Sequence, residues 1–245
     1  MADEPNSQLA ARVLPAPLYR ALQHVFAQGV ADIMLVGGTA LAGYYAGHRR
    51  SDDLDLFVRD TSAFQAAVHA TESLTTLGCG LEPRQRTAQF YDATCALSGH
   101  AFTAQVVMDA RLFEVGRACR ASDGVIVAEL LTLLKQKAAT LVSRCSEKDL
   151  YDLQWLFRHF PALQVESLLA LGTEIDAGMT AESVLLSLTG TTLRKSACDF
   201  AQNETADAVF RDVSDLQKTL AQRFDKLARK QAVGPVGELV RSLKR

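Results

Sequence analysis

The stretch Leu35-Val36-Gly37-Gly38-Thr39, with Asp53-Leu54-Asp55 beginning fourteen positions after Thr39, decides how this chain is read. Ile33 to Val36 is a short apolar run ending at two glycines, the pattern of a buried strand that stops in a tight turn. Thr39 to Tyr45 follows as a helix, with Thr39 at its start and Gly47 at its end. Asp53 to Val58 is the next strand. Alternate residues of a strand face the same side, so Asp53 and Asp55 present two carboxylates together while Leu54 and Leu56 face the core. Two adjacent carboxylates repel, and a divalent cation relieves that repulsion. Mg²⁺, or Mn²⁺, is a hard ion that takes one or two carboxylates plus phosphate oxygens. Gly37 and Gly38 lack Cβ atoms, so backbone N–H groups can approach an anion, and the helix N-terminus behind them adds partial positive charge. A phosphate cradle beside a metal-binding carboxylate pair is the equipment of nucleotidyl or phosphoryl transfer.

Working outward, Leu18, Leu22, Val25 and Phe26 mark a helix before this stretch. Ala63 to Leu77 reads as a helix after it, and Arg86 to Leu97 and Phe102 to Met108 as strands. Beyond about Phe113 the texture becomes helical. Helices are predicted over Leu130–Leu141, Leu150–Phe157, Leu163–Leu171, Ala181–Leu188 and Ala206–Lys230. The expected organisation is α+β: a mixed sheet with flanking helices over residues 1–118, then an all-helical domain over 119–245. The 245 residues are 48% hydrophobic and carry 26 basic and 28 acidic side chains, for a net charge of −2. These values exclude collagen, a disordered tail and a chain held to nucleic acid by bulk charge. Five cysteines with no CxxC pair argue against a zinc site or a disulfide framework. With no apolar leader and no membrane-length run, the cytoplasm is the expected location.

The residues Gly37-Gly38 and Arg49-Arg50-Ser51-Asp52-Asp53-Leu54-Asp55-Leu56-Phe57 resemble the nucleotidyltransferase signature of the AbiEii/AbiGii toxin family. In that family a Gly-Gly or Gly-Ser turn precedes Arg-x-Ser/Thr-x-Asp-hydrophobic-Asp. Lys137 to Arg144, followed by Lys148-Asp149-Leu150-Tyr151-Asp152-Leu153, is similar to the family's downstream motif. The resemblance implies a DNA-polymerase-β-like nucleotidyltransferase core followed by a helical domain. It implies an NTP cosubstrate, Mg²⁺, transfer to the 3′ end of tRNA, and a cognate antitoxin protein as partner. Asp53 and Asp55 are the expected metal ligands and catalytic residues. Gly37, Gly38, Thr39, Arg49 and Ser51 are the expected phosphate-binding residues. Lys137 and Arg144, seven apart on one helix face, would supply cations, Lys137 as part of the catalytic set. Asp149 is either a further catalytic carboxylate, as the resemblance implies, or a helix cap with Asp152 a surface acid. Lys135, the alternative to Lys137, is expected on a solvated face.

A third carboxylate is expected on the Phe102–Met108 strand. The family register puts Gln105 there, so either Asp109 at the strand's end reaches in as a metal ligand or no third acid exists; Asp92 is a substitute on the preceding strand. From Arg211 to Arg245, nine basic residues face four acidic ones, either an RNA-tracking surface or a solvated helix. Two other functions fit: transfer to a small hydroxylated molecule, and a non-catalytic nucleotide-binding module.

Overall fold

The computed structural model describes residues 4–231. Two compact units form: one takes the chain up to Leu133 together with Phe200–Asn203, the other Leu134–Asp199 and the chain from Glu204 onward. The division therefore falls after residue 133, later than the expected boundary at 118, because two short strands over Ala118–Arg120 and Ile126–Ala128 complete the sheet of the first unit.

In the first unit, α1 (Ser7–Val13) and α2 (Ala16–Ala27) precede β1 (Ile33–Leu35). α2 buries Leu18, Leu22, Val25 and Phe26, the stripe its spacing predicts. β1 is buried at all three positions and is followed by a helical segment over Thr39–Ala46 and by β2 (Asp53–Val58). The Thr39–Ala46 helix is wound as a π-helix. At its end the Gly47 N–H reaches back five residues to the Ala42 carbonyl at 2.8 Å, with Gly47 itself left-handed. Then come α3 (Thr61–Glu72), β3 (Gly80–Arg86), β4 (Phe90–Leu97), β5 (His100–Met108), α4 (Ala110–Val115), β6 (Ala118–Arg120) and β7 (Ile126–Ala128).

Among the described residues these strands make one seven-stranded mixed sheet in the order β3-β4-β5-β2-β1-β7-β6. β2 lies at its centre, antiparallel to β1 and parallel to β5. The helix predicted over 63–77 is two pieces, α3 capped by the Asp60 carboxylate and a 3₁₀ turn over Ser73–Leu77. β3 was not expected. Its residues are almost all exposed, with Pro83 at a bulge, so it carries no apolar alternation; that is how an edge strand avoids further pairing.

The second unit is helical: the latter part of α5 (Leu130–Ser143), then α6 (Glu147–His159), α7 (Val165–Thr173), α8 (Ala181–Gly190) and α9 (Ala206–Gln231). α9 packs on α6, α7 and α8 through Val209, Val213, Leu220 and Phe224, all fully buried. No helix among the described residues is long and apolar enough to cross a membrane.

Candidate active site

The site begins with the pleat of β2. Leu54, Leu56 and Val58 are buried, whereas Asp53, Asp55 and Phe57 stand on the half-open face. Parallel pairing sets Thr103 beside Asp53 and Gln105 beside Asp55. Antiparallel pairing then sets Thr94 beside Thr103 and Asp92 beside Gln105. Three strands thus carry a polar patch of two rows, Asp53-Thr103-Thr94 and Asp55-Gln105-Asp92. The Thr103 hydroxyl donates to Asp53 Oδ1.

The Gly37-Gly38 turn lies against this pair on the β1 side. Gly37 has φ +68°, and a Cβ on it would fall 2.0 Å from Asp55 Oδ2. Only glycine fits, both for backbone conformation and for space. Gly38 opens the π-helix with no side-chain cap, so that end directs its amide dipoles toward the turn. A Cβ on Gly38 would fall 2.4 Å from Arg49 Nη2 and 2.9 Å from Ser51 Oγ. The Thr39 hydroxyl donates to the Asp53 carbonyl and lies 3.0 Å from Ser51 Oγ. Thr39, Arg49 and Ser51 are all buried. They back the turn from inside.

Two carboxylates on one open face, with a glycine cradle touching one of them, fit a hard divalent ion completed by phosphate oxygens. Asp53 and Asp55 would hold such an ion. Asp109 does not join them. It follows Met108, which pairs with Val58 at the far end of β2, four residues and roughly 13 Å along the strand from Gln105. Its carboxylate caps α4 by accepting from the Leu112 N–H at 3.0 Å. Gln105 does stand beside Asp55, where the third acid was sought. Asp92, one strand further, is nearly buried and ion-paired to Arg84 at 2.6 Å. The Asp92 hydrogen bond is the main reason that the Arg84 pKa is raised, and Asp53 adds a smaller Coulombic part. Arg84 was missed in the sequence because β3 was.

The second unit holds the other motif. Lys137 Nζ lies 2.9 Å from Asp149 Oδ1 and 2.7 Å from Asp152 Oδ2, with all three side chains at most 5% exposed. Arg144 Nε reaches Asp149 Oδ2 at 3.2 Å from a side chain that is 65% exposed. Ser146 is the cap of α6: its Oγ accepts from the Asp149 N–H and donates to Asp149 Oδ2 at 2.6 Å. Burial pushes the Asp149 pKa up, but Lys137 and Arg144, with the Ser146 and Lys137 hydrogen bonds, outweigh it and hold the net value below the usual range. Asp149 and Asp152 are therefore neither a simple cap nor surface acids, and Lys137 is enclosed by acids. Lys135, expected on a solvated face, is buried and paired with Glu174 at 2.7 Å.

On α9, Arg211, Lys218, Arg223 and Arg229 have acidic partners in Asp212, Asp215, Glu166 and Asp225. Arg241, Lys244 and Arg245 lie outside the described residues.

No protein-family model matches the chain, and no curated protein does. Among solved structures, the fold is shared with a nucleotidyltransferase. That structure is MenT4, a nucleotidyltransferase toxin from Mycobacterium tuberculosis, at a TM-score of 0.53 and 17% identity over 90% of this chain and 93% of that one. JHP933 from Helicobacter pylori also aligns, at a TM-score of 0.48 and 15% identity over 93% of this chain and 98% of that one. The architecture is thus α+β, a mixed sheet with flanking helices and a C-terminal helical region, the fold that MenT4 has.

Proposed function

We propose that the chain is a Mg²⁺-dependent nucleotidyltransferase that moves a nucleotide from an NTP to an RNA acceptor, the 3′ end of tRNA, as the toxin of a toxin–antitoxin pair of the AbiEii/AbiGii type. The observation that carries it is the Asp53–Asp55 face with Gly37 seated against Asp55, where a side chain has no room. The shared fold with a nucleotidyltransferase toxin supports the reaction class, and the resemblance of the motifs supports the acceptor and the antitoxin.

In the proposed reaction an acceptor hydroxyl oxygen bonds to the α-phosphorus, the bond to the pyrophosphate oxygen breaks, and the hydroxyl proton passes to solvent. Asp53 and Asp55 place negative charge where the cation binds, and Thr103 orients Asp53 by donating to its Oδ1. The Gly37-Gly38 backbone receives phosphate oxygens, with Arg49, Ser51 and Thr39 bracing the turn. A divalent cation held by Asp53 and Asp55 would supply charge stabilisation at the reacting phosphate. Lys137, Asp149 and Arg144 enter the proposal on the motif resemblance.

Incubation with each labelled NTP, Mg²⁺ and total RNA tests this. Label is expected on tRNA with the native chain and not with folded Asp53→Ala. Equal labelling by both proteins refutes the assignment, and label on a small molecule instead moves the acceptor class. Gln105 in place of a third acid favours one further reading, a module that binds NTP with metal and makes no product.

A further inference from the structure

Arg49 is the least expected member of the site, because a cation meant for phosphate is 3% exposed. Its guanidinium lies directly under Gly38, and its Nη1 donates to the Arg50 carbonyl at 2.9 Å. The loop that carries it is paired with a segment about 150 positions downstream. Arg49 forms an antiparallel bridge with Ala201. The Arg50 N–H donates to the Phe200 carbonyl at 2.8 Å, and the Gln202 N–H donates to the His48 carbonyl at 3.0 Å. Phe200 anchors the segment with only 4% of its surface exposed. These residues belong to the sheet-bearing unit, although the chain on either side of them belongs to the other.

We infer that Phe200–Gln202 is a positioning strap for the nucleotide-binding turn. The strap holds the 48–51 loop, the loop holds Arg49 beneath Gly38, and Arg49 fixes the height of the backbone that receives phosphate. A two-bond ladder suits this task. Each backbone bond is directional, so together they set the loop's position and tilt without filling the space an anion needs. The loop has no strand pairing of its own besides this bridge among the described residues. None of the strap residues touches substrate; they act through Arg49. The inference rests on the proposed nucleotide site and goes beyond it in assigning part of that site's geometry to a distant segment.

The test uses the full chain and equilibrium binding of ATP, GTP, CTP and UTP with Mg²⁺. Gln202→Pro removes the donor to His48, and Phe200→Ala removes the anchor; Phe200→Leu is the conservative control. For whichever NTP binds, Gln202→Pro and Phe200→Ala are expected to weaken affinity by roughly tenfold, the scale of one or two lost hydrogen bonds. Phe200→Leu should restore most of it. Hydrogen exchange at the Arg50 amide should rise in both weakened variants. A double-mutant cycle with Arg49→Lys should be strongly non-additive, because strap and guanidinium act on the same turn. A merely structural strap would weaken binding additively with Arg49→Lys, and that result overturns the inference. Unchanged affinity in variants whose Arg50 amide exchanges faster also overturns it. If the native chain binds no NTP, the nucleotide site itself falls and the strap's role falls with it.

Discussion

Replacing Lys137 with methionine removes a cation enclosed by two buried acids. Lys137 Nζ sits 2.9 Å from Asp149 and 2.7 Å from Asp152, whose side chains are 2% and 0% exposed. Methionine keeps most of the side-chain volume, so packing changes little while the charge is lost. Arg144 still offsets Asp149 from the surface side. Breaking a buried pair from one side costs about 3–5 kcal/mol, because the remaining charge stays in a poorly solvated place. Arg144→Gln removes a 65% exposed partner and should cost under about 1 kcal/mol. The contrast between these two variants is the expected result.

Trp155, the single tryptophan, lies on α6 with Asp149 and Asp152, so its fluorescence in a urea titration reports unfolding of this unit. Neutralising the acids as well, in Lys137→Met with Asp149→Asn and Asp152→Asn, should recover a large part of the loss. A Lys137→Met midpoint indistinguishable from that of Arg144→Gln would refute the reasoning. It would mean that the acids are solvated or protonated, and that Lys137 is not what stabilises them.

The same urea titration has a pH dependence. The Asp149 pKa is below its unfolded value, so its stabilising contribution is complete above the ordinary carboxylate range and is lost as pH falls through the lowered value. Stability read at Trp155 should therefore decline on acidification below about pH 4, and Asp149→Asn should flatten that decline; an unchanged slope would count against the ion pair. Gly37→Ala forces a left-handed alanine at roughly 1–2 kcal/mol and drives a methyl into Asp55, so both thermal stability and metal-dependent NTP binding should fall. Native-like NTP binding in that variant would show that the turn is not where nucleotide binds. Gln105→Glu places a third carboxylate beside Asp55, and calorimetry should show tighter Mn²⁺ binding, whereas unchanged affinity would put the Gln105 side chain out of reach of the ion.

The chain's local pattern determines the centre of this protein. An apolar run, two glycines, a short helix and an alternating Asp-Leu-Asp-Leu strand are short-range features, and their physics acts within a few residues, so β1, the turn and β2 are legible without the rest. The helical second half is legible for the same reason: amphipathic period survives in one dimension. Which strand lies beside β2 is not local. Backbone hydrogen bonds between β2 and β5 set Gln105 beside Asp55 and carry Asp109 away to cap α4, and one residue of slip would have reversed every face. The exposed edge strand β3, and with it the Arg84–Asp92 pair, has no periodicity to announce it. Lys137 carries the same charge in the sequence whether it faces solvent or two acids, and only packing placed it between Asp149 and Asp152. The return of Phe200–Gln202 to the Arg49 loop likewise comes from tertiary structure alone, because backbone pairing across 150 residues leaves no mark on side-chain pattern.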